Sequence, residues 1–252
     1  MADVLLYGSV FGAICWVSLL LLPWLPWSTP EQIEVDLGTV SNGTLEDITV
    51  LIPARNEGPH IQHTLRCVKA QGSGMRIIVI DDQSLDDTAE QAKSLEGLDV
   101  KVISGVTPPA GWSGKLWALE QGLQEVCTPY TLLLDADIEL SPGIVVILQQ
   151  KARQENLALV SLMAEPPMAN FIERLLMPAF IFFFKLLYPF GLANKPTSRI
   201  AAAAGGCILV ETAALRSAGA FAPSRPRRSP CRPRTPPGAC ARRAQPTAAA
   251  AC

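Results

Sequence analysis

From Ile48 onward, short runs of apolar residues alternate with stretches in which apolar residues recur every three to four positions. Runs of the first kind predict buried strands, and the spacing of the second kind predicts amphipathic helices. The predicted strands cover 48–53, 75–82, 99–104, 130–134 and 157–163, and the predicted helices cover 57–71, 86–95, 115–126 and 142–153. Because the strands are apolar and alternate with helices, they predict an α/β domain with a mostly parallel sheet and helices on both faces.

The amino-terminal segment departs from this pattern, because the nineteen residues 4–22 contain no charge. A helix of that length spans close to the roughly 30 Å hydrocarbon core of a bilayer. No Lys or Arg precedes Arg55, so the basic region of a secretory signal is missing and an uncleaved anchor is favoured. We expect one transmembrane anchor at 4–27 and a polar linker at 28–47, with the α/β domain on the cytoplasmic side of an inner or plasma membrane.

A second long apolar segment, FIERLLMPAFIFFFKLLYPFGLA, covers residues 171–193. Three charged residues interrupt it, and we expect Pro178 and Pro189 to break helices there. These interruptions favour a segment that lies on the bilayer surface over one that spans it. A buried core helix is the alternative.

Charge is unevenly distributed along the chain. The whole sequence has 21 basic and 23 acidic residues, yet residues 225–252 contain seven arginines and no acid. The segment 223–252 is rich in Pro, Arg and Ala and shows neither helical nor strand periodicity. Three interpretations stay open: a basic arm for a lipid surface or nucleic acid, a disordered tail, or the product of a reading-frame shift in a GC-rich gene. With 49% apolar and 17% charged residues, the chain as a whole is neither disordered nor a nucleic-acid-coating protein.

The seven cysteines are scattered and never form a C-x-x-C pair, which argues against a zinc site or a disulfide framework. We expect small buried thiols in a reducing compartment. The two histidines, His60 and His63, stand three residues apart on a predicted helix. No third metal ligand is evident in the sequence, so two exposed helix histidines are the favoured interpretation.

Three polar clusters directly follow predicted strands: 55–57, 81–84 and 135–137. In open parallel sheets, ligands bind beyond the carboxyl ends of the strands. Asp135 and Asp137 would point to the same side of an extended segment, where two carboxylates suit a hard cation such as Mg²⁺ or Mn²⁺. A solvated turn is the alternative for this pair.

The second cluster begins a run of four acids in seven residues, 81–87. A helix amino terminus favours negative charge, which accounts for Asp86 and Asp87 better than for Asp81 and Asp82. The latter pair can accept hydrogen bonds from a ribose or a base. Two glycines and a lysine in 111–115 precede a helix and could hold a diphosphate, although the spacing is not that of a Walker A loop.

Four segments follow one another along the chain: VLIPARNE, VIDDQSLDDT, GWSGKLWALEQG and LLLDADIEL. Over about 48–221 this order resembles the inverting glycosyltransferase family 2. The anchor, the GWSGK segment and AAAAGGCILVETAALRSAG resemble the hopene-associated branch of hopanoid synthesis. The resemblance implies a GT-A fold for 48–222, a nucleotide-diphosphate sugar as donor and a lipid or polyisoprenoid-type acceptor at a membrane, with no nucleic-acid partner.

The resemblance also implies roles for individual residues. The nucleotide pocket would be lined by Pro53, Arg55 and Glu57, with Arg55 in place of a commoner aromatic residue. Asp82, with Asp81 beside it, would contact the base or ribose, and Lys115 would lie near the sugar nucleotide. Asp135 and Asp137 would hold a divalent cation, Mg²⁺ or Mn²⁺, with Asp137 the more direct ligand and Asp135 also near the donor.

The general base of the reaction is not identified in the sequence. In the family it is an acid in a motif beyond the glycine-rich acceptor segment, which Gly205 and Gly206 match, but no acid follows Glu211. The catalytic residue therefore stays unknown, and a truncated remnant that binds donor without transferring sugar is the alternative function. A sugar nucleotidyltransferase is a third hypothesis, disfavoured because GPHIQHT after the first strand is not a glycine-rich basic loop.

Overall fold

The computed structural model describes residues 2–22, 44–95, 97–166, 168–194, 198–199 and 202–222. The tail 223–252 and most of the predicted linker lie outside the described residues. The strands are β1 Ile48–Ala54, β2 Arg76–Asp81, β3 Val100–Ser104, β4 Tyr130–Leu134, β5 Leu159–Leu162 and β6 Cys207–Glu211. The helices are α1 Ala2–Leu20, α2 Gly58–Lys69, α3 Thr88–Lys93, α4 Gly114–Leu123, α5 Ile144–Gln154, α6 Phe171–Leu187, α7 Phe190–Ala193 and α8 Thr212–Ser217.

The sheet has the order β3-β2-β1-β4-β6-β5. Neighbours among β3, β2, β1 and β4 pair in parallel, whereas β6 runs antiparallel to both β4 and β5. The α/β fold with a mostly parallel sheet is confirmed. Strand β6 was not among the predicted strands, because its short CILVE run lies inside an alanine-rich stretch without flanking polar alternation.

Alternate residues of the central strands face two different apolar clusters, as the period of two in a strand requires. Val50 and Ile52 of β1 belong to the cluster that contains Ile61 and Leu65 of α2. Leu51, between them, belongs to the cluster that contains Ala118 and Leu119 of α4. Helices therefore cover both faces, with α2 and α5 on one side of the sheet and α4 on the other.

The packed domain begins slightly before its first strand. Leu45 is 1% exposed and belongs to the same apolar cluster as α2. Its backbone N–H donates to the carbonyl of Ser73 at 3.0 Å, which ties the entry of the chain to the loop before β2. Leu45, which the sequence assigned to a linker, thus contributes to the core.

Two helical segments among the described residues are long and apolar enough to cross a membrane, Asp3–Leu20 and Phe171–Ala193. Only 6% of the second segment is buried, so α6 is not a core helix of the described domain. Pro178 lies inside α6 without ending it, contrary to our expectation, because a proline forfeits one backbone hydrogen bond and a long apolar helix tolerates that loss. Pro189 does separate α6 from α7.

Candidate active site

The candidate site lies where the carboxyl ends of β1, β2 and β4 meet on the α4 face of the sheet. Side chains alternate along a strand, so Arg55 follows the side of Leu51 and Asp82 follows that of Ile78 and Ile80. Asp135 likewise follows Leu133, another member of the α4 cluster. The crossover order also reverses between β1 and β4, which is the topological switch where open α/β sheets bind ligands.

Asp82 is the most confined charged residue of this site. It is 5% exposed, and its Oδ1 is a buried acceptor for which the described part of the chain provides no hydrogen-bond donor. Its Oδ2 lies 3.8 Å from Nη1 of Arg55, whose side chain is 62% exposed. An acceptor left without a partner in the interior costs free energy, so this oxygen is ready to accept a hydrogen bond from a bound molecule.

Lys115 and Asp135 form the second charged pair, with Nζ 2.6 Å from Oδ1. The backbone N–H of Asp135 donates to the carbonyl of Gly206 at 3.0 Å, which fixes the end of β4 against the start of β6. Burial, followed by the charge of Asp135, raises the pKa of the neighbouring Cys207 thiol to about 12. Cys207 therefore stays a neutral thiol at neutral pH and adds no charge to the site.

Asp137 lies in a turn rather than in an extended segment. The backbone N–H of Ile138 donates to the carbonyl of Asp135 at 3.2 Å, which closes this turn and corrects the expected strand-like geometry. Asp135 is half-buried, whereas Asp137 is exposed and has no hydrogen bond or ion pair among the described residues. The two acids after β4 thus differ: Asp135 is paired with Lys115, whereas the carboxylate of Asp137 is exposed and can bind a ligand.

The loops after β1 and β2 are joined by hydrogen bonds that use polar groups of both. The backbone N–H of Asn56 donates to Oγ of Ser84 at 3.0 Å, and Asn56 Oδ1 accepts from the N–H of Leu85 at 2.8 Å. The N–H of Ser84 donates to Oδ1 of Asp81 at 3.1 Å. Asp81 therefore has a structural partner, in contrast to Asp82 beside it.

Asp86 binds the start of α2 to the start of α3. Its carboxylate accepts from the N–H of Gly58 at 3.1 Å and from the N–H and hydroxyl of Thr88. The hydroxyl of Thr88 in turn accepts from the N–H of Glu57 at 2.9 Å. This network agrees with a helix-terminus role for Asp86, whereas Glu57 stands at the N-cap of α2 without a side-chain capping bond.

We expect the free energy of unfolding of the domain to decrease when Asp86 is protonated. The Thr88 hydrogen bond, above all, lowers the pKa of Asp86 from its ordinary value of 3.8. A carboxyl group whose pKa is lower in the folded state stabilises the fold at a pH above its unfolded-state pKa. That contribution is lost as the pH falls through its folded-state pKa. Asp86→Asn should therefore flatten the decline of the thermal midpoint below pH 3.8, measured against the wild type and Asp99→Asn. Equal acid sensitivity in all three proteins would contradict this role.

The GWSGK segment reaches the site through close packing of Gly114 on Asp82. A Cβ atom at Gly114 would lie 2.6 Å from Asp82 Oδ2. Ser113 caps α4 by accepting from the N–H of Leu116 at 3.4 Å, and Trp117 Nε1 donates to the carbonyl of Val106 at 2.9 Å. From the sequence, these glycines were interpreted as a diphosphate loop. The contact between Gly114 and Asp82 was missed, because its one signal in the sequence was a glycine directly before Lys115.

The resemblance implies that Asp82 contacts a sugar nucleotide, and on that role Gly114→Ala should weaken donor binding by about tenfold or more, because the added methyl group displaces the Asp82 carboxylate. The effect on unfolding should be small, since the atom displaced is the end of a side chain. Titration of the sugar nucleotide by calorimetry measures the first effect, and thermal unfolding measures the second. Gly8→Ala, which adds a methyl group with nothing within 4 Å, is the control. Unchanged affinity in Gly114→Ala would show that Asp82 does not contact the donor.

The structure therefore brings together Arg55, Asp82, Lys115 and Asp135, with Asp137 at their edge. Pro53 lies half-buried within β1, opposite Ile80 of β2, and the strand continues past it to Ala54. Asp81 and Glu57 are adjacent to the cluster, but they take part in the hydrogen bonds that hold the loops after β1 and β2. A mostly parallel sheet with acidic strand ends at its topological switch is the arrangement that the resemblance to glycosyltransferase family 2 implies.

The sequence profile of Glycosyl transferase family 2 matches residues 49–218. This match covers more than half of the chain, so the protein belongs to that family. It includes all the strand ends described above. The family assignment from four sequence motifs is thereby confirmed.

Curated relatives share part of this domain. The 4,4'-diaponeurosporenoate glycosyltransferase of Staphylococcus haemolyticus is 33% identical over 121 residues, which are 47% of this chain and 32% of the relative. The enzyme of the same name from Staphylococcus aureus strain bovine RF122 / ET3-1 is 36% identical over 93 residues, or 37% of this chain and 24% of the relative. The chain thus spans a third or less of the length of these relatives.

Solved structures agree on the fold. The mannosyltransferase PcManGT from Pyrobaculum calidifontis, in complex with GDP-Man and Mn²⁺, matches with a TM-score of 0.53 and 20% identity over 86% of this chain and 57% of that protein. TarS 1–349 of S. aureus, in complex with UDP, matches with a TM-score of 0.50 and 16% identity over 68% of this chain and 48% of that one. At these identities the likeness establishes the GT-A-like fold.

Proposed function

We propose that this protein transfers a sugar from a nucleoside-diphosphate donor to a lipid-type acceptor at a membrane surface, with inversion and with the help of a divalent cation. The observation that supports it best is the buried Asp82 Oδ1, an acceptor without a donor at the switch point of the sheet. Family membership and the names of the relatives agree with this reaction.

The nucleoside would be held between β1 and β2. Asp82 accepts a hydrogen bond from the base or ribose, which supplies the partner that its Oδ1 lacks. Arg55 is exposed, and its Nη1 lies 3.8 Å from that carboxylate. Its guanidinium can therefore turn toward a diphosphate while it stays close to Asp82. Pro53, Glu57 and Asp81 complete the walls of this pocket.

The diphosphate would lie near the start of α4 and the end of β4. Asp135 and Asp137 provide oxygen ligands for Mg²⁺ or Mn²⁺, and the unpaired state of Asp137 fits that role. When bound, such an ion neutralises negative charge on a leaving diphosphate. Lys115, which pairs with Asp135, would provide a second positive charge close to the phosphate oxygens.

The acceptor is a lipid in this proposal because two apolar helices accompany the domain. The segments Asp3–Leu20 and Phe171–Ala193 are largely exposed, so a bilayer would cover them. The relatives are named for diaponeurosporenoate, a carotenoid. A hopanoid alcohol, indicated by the resemblance of the alanine-rich segment, is the more specific acceptor that we propose, at an inner or plasma membrane with the domain in the cytoplasm.

A donor-binding protein without transferase activity is the second candidate. Glu211 is the one acid within the described residues 202–222, and it pairs across the sheet with Tyr130 at the start of β4. Glu211 therefore lies beside the amino end of β4, whereas Asp135 follows its carboxyl end, so Glu211 cannot be the general base. The acid that deprotonates the acceptor hydroxyl has no assignment within residues 202–222.

One experiment separates these functions. The full chain in detergent is incubated with Mn²⁺ and a panel of UDP- and GDP-sugars, and donor binding, nucleoside-diphosphate release and sugar transfer to extracted membrane lipids are measured. Transfer into the lipid phase is the expected result. Binding without release or transfer would instead support the donor-binding candidate, and the absence of binding to every donor would contradict both.

A further inference from the structure

We infer that His63, Cys67 and Glu139 form a second cation site, suited to Zn²⁺ and distinct from the site at Asp135 and Asp137. The Nε2 of His63 lies 3.4 Å from a carboxylate oxygen of Glu139 and 3.8 Å from the sulfur of Cys67. The three donor atoms all lie within 4.8 Å of one another. This site goes beyond the transfer reaction and uses none of its proposed residues.

Two of the three separations between these atoms are close to those around a tetrahedral ion. Zinc bonds of about 2.0–2.1 Å to nitrogen, 2.0–2.2 Å to oxygen and 2.3 Å to sulfur put neighbouring ligand atoms about 3.3–3.6 Å apart. The two measured separations fall within a few tenths of an ångström of that range. Three protein ligands leave the fourth position for water, because His63 and Glu139 are exposed to solvent.

The backbone that presents the three ligands is held in place by buried hydrogen bonds. His63 and Cys67 stand four residues apart, so they share one face of α2. The hydroxyl of Thr64 donates to the carbonyl of Ala136 at 2.6 Å, and Nε2 of Gln71 donates to the carbonyl of Ser141 at 3.1 Å. Helix α2 and the residue Gln71 just after it thus hold the loop after β4 on both sides of Glu139, which limits the reorganisation that metal binding requires.

The chemistry of the ligands separates this site from the other one. A thiolate and an imidazole prefer zinc and similar borderline-soft ions, whereas two carboxylates prefer Mg²⁺ or Mn²⁺. His63 and Cys67 also lie on the face of the sheet opposite to Lys115, since α2 packs in one apolar cluster and α4 in the other. An ion bound here would tie α2 to the loop that also contains Asp137, two residues before Glu139.

The sequence did not reveal this site, because the scattered cysteines argued against zinc and no third ligand for the histidines was evident. Glu139 is 76 positions from His63 and approaches it only through the parallel pairing of β1 with β4. His60, the other histidine, is not part of the group.

Cobalt(II) is a suitable probe, because a cobalt–thiolate bond gives a charge-transfer absorption that oxygen ligands do not give. The reduced, metal-free full chain in detergent is titrated with Co²⁺, and then with Zn²⁺ or Mg²⁺ in competition. We expect one equivalent to produce the thiolate band, Zn²⁺ to abolish it and Mg²⁺ to leave it unchanged. Cys67→Ser should lose the band, and Glu139→Gln should bind at least about tenfold more weakly.

The controls are Cys127→Ser and His60→Ala, which should both keep the band at wild-type affinity. Because Cys67 packs partly against the core, His63→Gln serves as a second loss variant, and circular dichroism verifies that each variant is folded. No thiolate band in the wild type, or a band that persists in folded Cys67→Ser and His63→Gln, would overturn the inference. The second outcome would assign the ion to other cysteines of the chain.

Discussion

Replacing Asp82 with Asn should weaken donor binding by about 10- to 100-fold without lowering the stability of the empty protein. A hydrogen bond to a charged group contributes about 1.5–3 kcal/mol, which corresponds to that range of affinity. In the absence of donor, the carboxylate is 5% exposed and has one oxygen without a partner, so removing its charge relieves a desolvation cost. The thermal midpoint should therefore stay the same or rise.

Calorimetric titration of the sugar nucleotide, together with thermal unfolding of the ligand-free protein, measures both effects. Asp99→Asn is the matched control, because Asp99 is exposed just before β3, at the opposite edge of the sheet. It should change neither quantity. A stability loss in Asp82→Asn with unchanged affinity would show that this carboxylate is a structural group whose partner lies within the protein.

Replacing Asp137 with Ala should remove the dependence of donor binding on Mn²⁺, with a loss of metal affinity of about 100-fold or more. Asp137 is exposed, and the described residues give it no ion pair, so its loss leaves no charge unpaired and should not affect folding. Isothermal titration of the donor with and without Mn²⁺ measures the effect directly. Glu90→Gln, an exposed acid on α3, is the control and should keep the full metal response.

A complementary change at Asp135 distinguishes the two acids of the motif. Asp135→Asn should weaken metal binding and also free Lys115 from its 2.6 Å ion pair. Donor binding without metal should then change little, because the released lysine still attracts the diphosphate. If Asp137→Ala retained the metal response while Asp135→Asn abolished it, the direct ligand would be Asp135, and the order proposed from the resemblance would be wrong.

Strands β1 to β5 and the apolar faces of α2 and α5 could be predicted from local pattern because burial imposes a period on the sequence, whereas β6 was missed. The run YTLLL gave the bounds of β4 to the residue. Helix ends were predicted less closely than strands: α3 begins at Thr88 with Asp87 as its N-cap, whereas the carboxylate of Asp86, the other expected cap, bonds to the N–H groups of Gly58 and Thr88. Hydrogen bonds between distant loops leave no local signal in the chain.

The sequence by itself determined the alternation of strands and helices, the family, and the acidic residues that end β2 and β4. Only the tertiary structure decided that Arg55, Asp82 and Asp135 share the α4 face, that Gly114 packs on Asp82, and that Glu139 approaches His63 on the other face. The physical reason is that composition and periodicity act over a few neighbouring residues. Contacts between residues tens of positions apart depend instead on strand order, on register and on which side of the sheet each helix packs.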